Sequence, residues 1–168
     1  NGFWWGAHAL SIAKAQNNQA AINSMAPYLT SRYKKFHGGT DGWDEIVAAT
    51  ANAWNQLSPQ ERPDCGIFAQ DYGQAGAIDF LGRRDGLPPA LSGHQTYFLW
   101  GPRGYSGNCL IILDDRKQRL DQLFEQVDFV ATSPDNPYAL ERGVPVFICR
   151  NAKFGSLSEL WPRLKKWR

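Results

Sequence analysis

Cys65-Gly-Ile-Phe-Ala-Gln70, followed at once by Asp71-Tyr-Gly-Gln-Ala-Gly-Ala-Ile-Asp-Phe-Leu-Gly82, decides the fold class. A short apolar run meets a turn rich in glycine, and helix formers follow. That order reads as strand over 65–70, turn, and helix over 74–81. Glycines at Gly73 and Gly76 serve a tight turn and close approach of the helix to the sheet.

Outward from this unit the alternation continues. Asn108-Cys-Leu-Ile-Ile-Leu113 is a buried strand ending at Asp114-Asp115, which can cap a helix with the stripe Leu120, Leu123, Phe124 and Val127. Phe129–Thr132 and Val144–Cys149 are further strands, and Gly93–Leu99 reads as extended. Gly101–Gly107 is a hairpin-like connection, and Ser156-Leu-Ser-Glu159 is a capping box opening a short helix that Pro162 disturbs. Upstream, Asp41 can cap a helix whose Trp43, Ile46, Val47, Thr50, Trp54 and Leu57 face a core, and Ser58–Glu61 is a second capping box. Residues 7–25 carry helix signals that Pro27 ends, and Gly38-Gly39 is a break. The expectation is an α/β domain of three layers, with a mostly parallel or mixed central sheet flanked by helices. Residues 1–40 form a helical N-terminal segment on a body spanning 41–168.

A chain of 168 residues with 43% apolar and 20% charged side chains buries a core as a single domain. A net charge of +2 gives no argument for nucleic acid, and no apolar run reaches bilayer-spanning length. The chain starts at Asn1 without a methionine and reads as a piece of something longer. Cys65, Cys109 and Cys149 read as small buried hydrophobes, with a Cys65–Cys109 bridge between neighbouring strands as the alternative in an oxidising compartment. Neither their spacing nor a histidine partner fits a metal.

Ligands of open α/β sheets gather beyond the carboxyl ends of the strands, which puts Asp71, Tyr72 and Gln74 in view. Free amides at the start of that helix can hold a phosphate or carboxylate. Gly-x-x-Gly falls short of a dinucleotide fingerprint, and no acid stands about 20 residues on. His94, Gln95, Tyr97 and Trp100 lie within seven residues and combine flat aromatic faces with hydrogen-bonding groups, a set suited to sugars. His94 reads equally well as a residue that anchors its loop to the sheet. His8 and His37 have no such company, and no catalytic triad or acid pair is legible. Trp161-Pro-Arg-Leu-Lys-Lys-Trp167 mixes bases with tryptophans, as does a membrane–water interface, and Phe3-Trp4-Trp5 has the same apolar character.

Asp71–Gly82 together with Ser92-Gly-His-Gln-Thr-Tyr-Phe-Leu-Trp-Gly-Pro102 resembles the soluble C-terminal portion of bacterial membrane glycosyltransferases of the family 39 type, similar to dolichyl-phosphate-mannose–protein mannosyltransferases. The likeness runs from about Trp43, through Ser58-Pro-Gln-Glu-Arg62, to Leu160–Lys165, and leaves out residues 1–40. It implies an extracytoplasmic, periplasmic domain of an integral membrane protein whose sugar donor is a polyprenyl phosphate. The catalytic acid would lie in the membrane part, so this portion would be non-catalytic and free of cofactors. Its partners would be the transmembrane part of the same polypeptide, a lipid-linked sugar or acceptor, and the membrane surface near the termini. Gln74 and Gln95 stand where relatives more often have Glu and Asn. The competing readings are a stand-alone α/β nucleotide- or cofactor-binding domain using the Gly73–Gly76 turn, and a purely structural cap.

Overall fold

The computed structural model describes residues 42–135, 141 and 143–167. Apart from Gly42 and Glu141 they belong to one compact unit, Trp43–Asp135 with Arg142–Arg168. The helices expected within residues 1–40, the Asp41 cap, His8, His37 and Phe3-Trp4-Trp5 lie outside the described residues.

Helix α1 spans Trp43–Gln56, and its expected stripe is buried or half-buried throughout. The Ser58 box closes as read: Glu61 Oε2 accepts from the Ser58 amide at 2.9 Å, while Ser58 Oγ accepts from the Glu61 amide. The backbone bond from Ser58, followed by the Arg150 guanidinium 2.8 Å away, holds the Glu61 carboxyl down at about 2. Strand β1 is Cys65–Phe68, helix α2 is Tyr72–Leu81 and strand β2 is Cys109–Leu113. A short helix α3, Lys117–Leu123, leads into β3, Phe124–Thr132, and β4 is Pro145–Ala152. One turn of helix, α4 at Leu157–Leu160, is opened by Ser156, whose Oγ accepts from the Glu159 amide.

The sheet order is β1-β2-β4-β3. β1 pairs parallel with β2, while β2–β4 and β3–β4 are antiparallel, so the sheet is mixed. Alternating residues feed two cores. Cys65, Ile67, Ile111, Leu113, Val146 and Ile148 face α1 and α2, while Phe68, Leu110, Ile112, Phe147 and Cys149 face Leu120, Leu157 and Trp161. The architecture is therefore helix, sheet, helix.

Three local expectations are corrected. The stripe read as one helix breaks after Leu123: Leu120 packs from α3, whereas Phe124 and Val127 belong to β3. Apolar residues spaced by three or four suit either element when the run is short. Asp114 and Asp115 do not cap α3, whose N-cap is Arg116 with no side-chain bond. Gly93–Leu99 is not a strand, because Gln95–Trp100 winds into a 3-10 helix.

The cysteines also differ from their leading reading. Cys65 and Cys109 are directly paired across β1 and β2, with Cα atoms 4.5 Å apart, and form a disulfide. Cys149 is free and buried, and burial pushes its thiol up to about 12, leaving it inert.

Candidate functional site

Spacing builds the site. Tyr72, Gly76, Asp79 and Arg83 are separated by four, three and four residues, which puts them on one face of α2 and its 3-10 continuation Gly82–Asp85. His94, Tyr97 and Trp100 recur every third residue, one face of the 3-10 helix Gln95–Trp100 and its N-cap. The two faces meet along a seam. The Tyr72 amide donates to His94 Nδ1 at 3.4 Å, and the two rings lie 5.2 Å apart. A Cβ on Gly76 would stand 3.8 Å from the Tyr97 hydroxyl, which donates to Asp79 Oδ2 at 3.0 Å. Trp100 meets Tyr97 edge-on at 4.4 Å, and the Arg103 guanidinium lies 5.1 Å over the Trp100 ring.

At the end beyond the strands, polar groups satisfy one another. Asp71 is the N-cap of α2, its Oδ1 accepting from the Gly73 and Gln74 amides at 2.6 and 3.0 Å. The Ala75 amide is taken by the Asp71 carbonyl, and that of Tyr72 by His94. The first turn of α2 therefore offers no amide to a phosphate, and the cradle envisaged for a nucleotide is filled by the protein's own groups. Gln74 is fully buried: its Oε1 accepts from the Gln70 amide at 3.1 Å and its Nε2 reaches Asp114 Oδ2 at 3.5 Å. Gln70 in turn donates to Asp115 Oδ2 and accepts from Lys166 Nζ.

Asp114 is the exception there, exposed and at φ +52°. Partial burial of its carboxyl raises the pKa, against the Gln74 bond, and the charges of Asp71 and Asp115 add to the rise. Gln95 lies off the seam, also at positive φ, its amide held by the Lys166 carbonyl at 2.8 Å. This pairing of His94 with Lys166 brings the closing segment so near that a Cβ on Gly93 would strike the Leu164 carbonyl oxygen. Only glycine fits there.

The other end of the seam opens into a cleft of about 560 Å³ lined by Asp79, Arg83, Leu87, Pro89, Trp100 and Arg103. That volume suits a small organic ligand. Asp79 is already engaged, with Oδ1 accepting from the Ala90 amide at 2.7 Å and Oδ2 from Tyr97. Burial, and then the Asp79 contact, raise the Tyr97 pKa and keep its phenol protonated. Arg83 is steadied by its Nε donating to the Asp79 carbonyl at 2.8 Å. Its neighbour Arg84 is neutralised by Asp44 and Asp85, whereas neither Arg83 nor Arg103 forms a carboxylate ion pair among the described residues.

A second cavity, of about 50 Å³, lies between the sheet and α3–α4, lined by residues such as Leu110, Ile112 and Leu157. It is too small for a sugar ring.

The seven candidates thus divide. Trp100 lines the cleft with Tyr97 packed against it, Asp71, Tyr72, Gln74 and His94 tie the far end of the seam, and Gln95 turns the chain. Asp79, Arg83 and Arg103 were missed, although the spacing from Tyr72 to Arg83 carried the signal for the first two. Among the described residues no group of acids, histidines and cysteines is placed to hold a metal. Comparison with protein families, characterised proteins and solved structures finds no match to this chain.

Proposed function

We propose that this chain is a non-catalytic, extracytoplasmic recognition domain of a membrane glycosyltransferase that uses a polyprenyl-phosphate-linked sugar. The acceptor or donor headgroup sits in the Trp100 cleft. One observation carries the reading: an aromatic face and two guanidiniums without carboxylate partners among the described residues line a cleft of ligand size. The Trp100 ring lies under the C–H face of a sugar, and Arg83 and Arg103 donate to its oxygens. Tyr97, held by Asp79, fixes the ring in place. Two further facts support the reading. The two sequence motifs that carry the family resemblance are the two sides of the seam. The Cys65–Cys109 disulfide suits an oxidising compartment outside the cytoplasm.

Against the nucleotide-binding alternative stands the bonding of the first-turn amides of α2 to Asp71 and His94. Ligand-detected NMR with monosaccharides, a polyprenyl-phosphate headgroup analogue, and nucleotides as control tests the assignment. Saturation transfer to sugar or headgroup that disappears in Trp100→Ala supports it. Transfer to nucleotides alone, or to none of the probes, would refute it.

A further inference from the structure

The 3-10 helix Gln95–Trp100 has three faces, because it repeats every three residues. Tyr97 and Trp100 turn to α2, and Phe98 stacks on Trp161 over the second core at 6.0 Å. The third face, Thr96 and Leu99, looks outward, and Leu99 is 69% exposed. The closing segment is tied to the helix start by the His94–Lys166 pairing, and its Trp167 is 53% exposed. Cations flank these apolar groups. Arg103 lies over Trp100, and Lys165 Nζ stands 5.5 Å over Phe98 and 5.0 Å over Trp167. Neither Arg103 nor Lys165 has a carboxylate partner among the described residues.

We infer that this edge, Leu99 and Trp167 with Lys165 and Arg103, is a contact surface for an anionic lipid bilayer. Leucine and tryptophan enter the shallow interfacial layer, where an indole places its ring among acyl carbons and its N–H in water. Lysine and arginine beside them meet lipid phosphates at the same depth. The charge chooses this occupant. A protein partner covering an apolar face would have to neutralise both cations, whereas an anionic bilayer does so everywhere along its surface. Leu99, Trp167 and Lys165 do not line the cleft, so variants at these three separate this contact from sugar recognition, while Arg103 borders both.

Sedimentation of the full chain with vesicles of phosphatidylcholine, with and without about a third phosphatidylglycerol, tests this inference. Binding is expected to the anionic vesicles only, to weaken with salt, and to fall about tenfold in Leu99→Ser/Trp167→Ser and severalfold in Lys165→Gln. All three side chains are exposed, so circular dichroism should show these variants folded. Absence of binding to anionic vesicles overturns the inference, as does binding that survives Leu99→Ser/Trp167→Ser. A concentration-dependent dimer without vesicles, abolished by Leu99→Ser, would assign the face to a second copy and overturn it equally.

Discussion

The two ends of the seam between α2 and the 3-10 helix use the same kinds of side chain to opposite ends. Beyond the strands, Asp71, Gln74, His94, Gln70 and Lys166 are bonded to one another or to backbone. At the cleft, Arg83 and Arg103 lack carboxylate partners among the described residues, while Asp79 is held by Tyr97 and the Ala90 amide and steadies Arg83 through its carbonyl. A polar cluster whose bonds close internally is scaffold, since a ligand would have to break those bonds to enter. A cluster left open to water, on a braced support, is where a ligand gains.

The largest effect should fall on the staple that carries both ends. The Cys65–Cys109 bridge closes a span of 44 residues, worth roughly 4 kcal/mol by chain entropy. Cys65→Ala/Cys109→Ala should lower unfolding free energy by about 2–4 kcal/mol in urea titrations while leaving ligand affinity as it was. A change in affinity would mean that the sheet reshapes the cleft.

Next comes the closed end itself. Gln74→Ala removes a fully buried side chain and leaves the part-buried Gln70 amide short of its partner, which should cost about 2–3 kcal/mol, and Asp71→Ala about 1–2 kcal/mol for the lost cap. Neither should alter sugar binding, which isothermal titration measures. Trp100→Ala should invert that pattern, weakening the ligand about tenfold and leaving urea midpoints nearly unchanged, because the ring is half exposed.

Asp114 gives the smallest effect and the most specific signature. Its folded-state pKa is raised, so the native state holds the proton more tightly than the unfolded chain. The stabilisation this brings is complete below the ordinary carboxylate range and is lost as pH rises through the folded-state value. Asp114→Asn should therefore raise the melting temperature more at pH 7 than at pH 3. An increment equal at both pH values would trace instead to the tolerance of asparagine for positive φ at this position.

Long or strongly patterned elements were legible in the sequence. The α1 stripe, the buried β2 run and the Ser58 box needed only periodicity and capping chemistry, and each stands as read. Short segments were not. The passage from α3 into β3 and the winding of Gln95–Trp100 depend on tertiary contacts, such as Phe98 on Trp161 and the Lys166 pairing, which local propensity does not encode. The site was half legible for the same reason. Residue types drew notice to Asp71, Gln74 and His94; Asp71 is consumed locally by its own helix amides, whereas His94 and the Gln74 amide nitrogen find Tyr72 and Asp114 far along the chain. Arg103 sits in a glycine-rich connection and shows no sign of its role until the ring of Trp100 lies beneath it.

The central claim is that recognition belongs to the open end. Two-dimensional NMR that follows the Trp100 indole and the Tyr72 amide during titration with monosaccharides and the headgroup analogue tests it directly, in the unmodified chain and in His94→Ala. The account predicts saturable shifts centred on the Trp100 indole that persist when His94 is removed. Shifts centred on Tyr72 and abolished by His94→Ala would place the ligand at the closed end and contradict it.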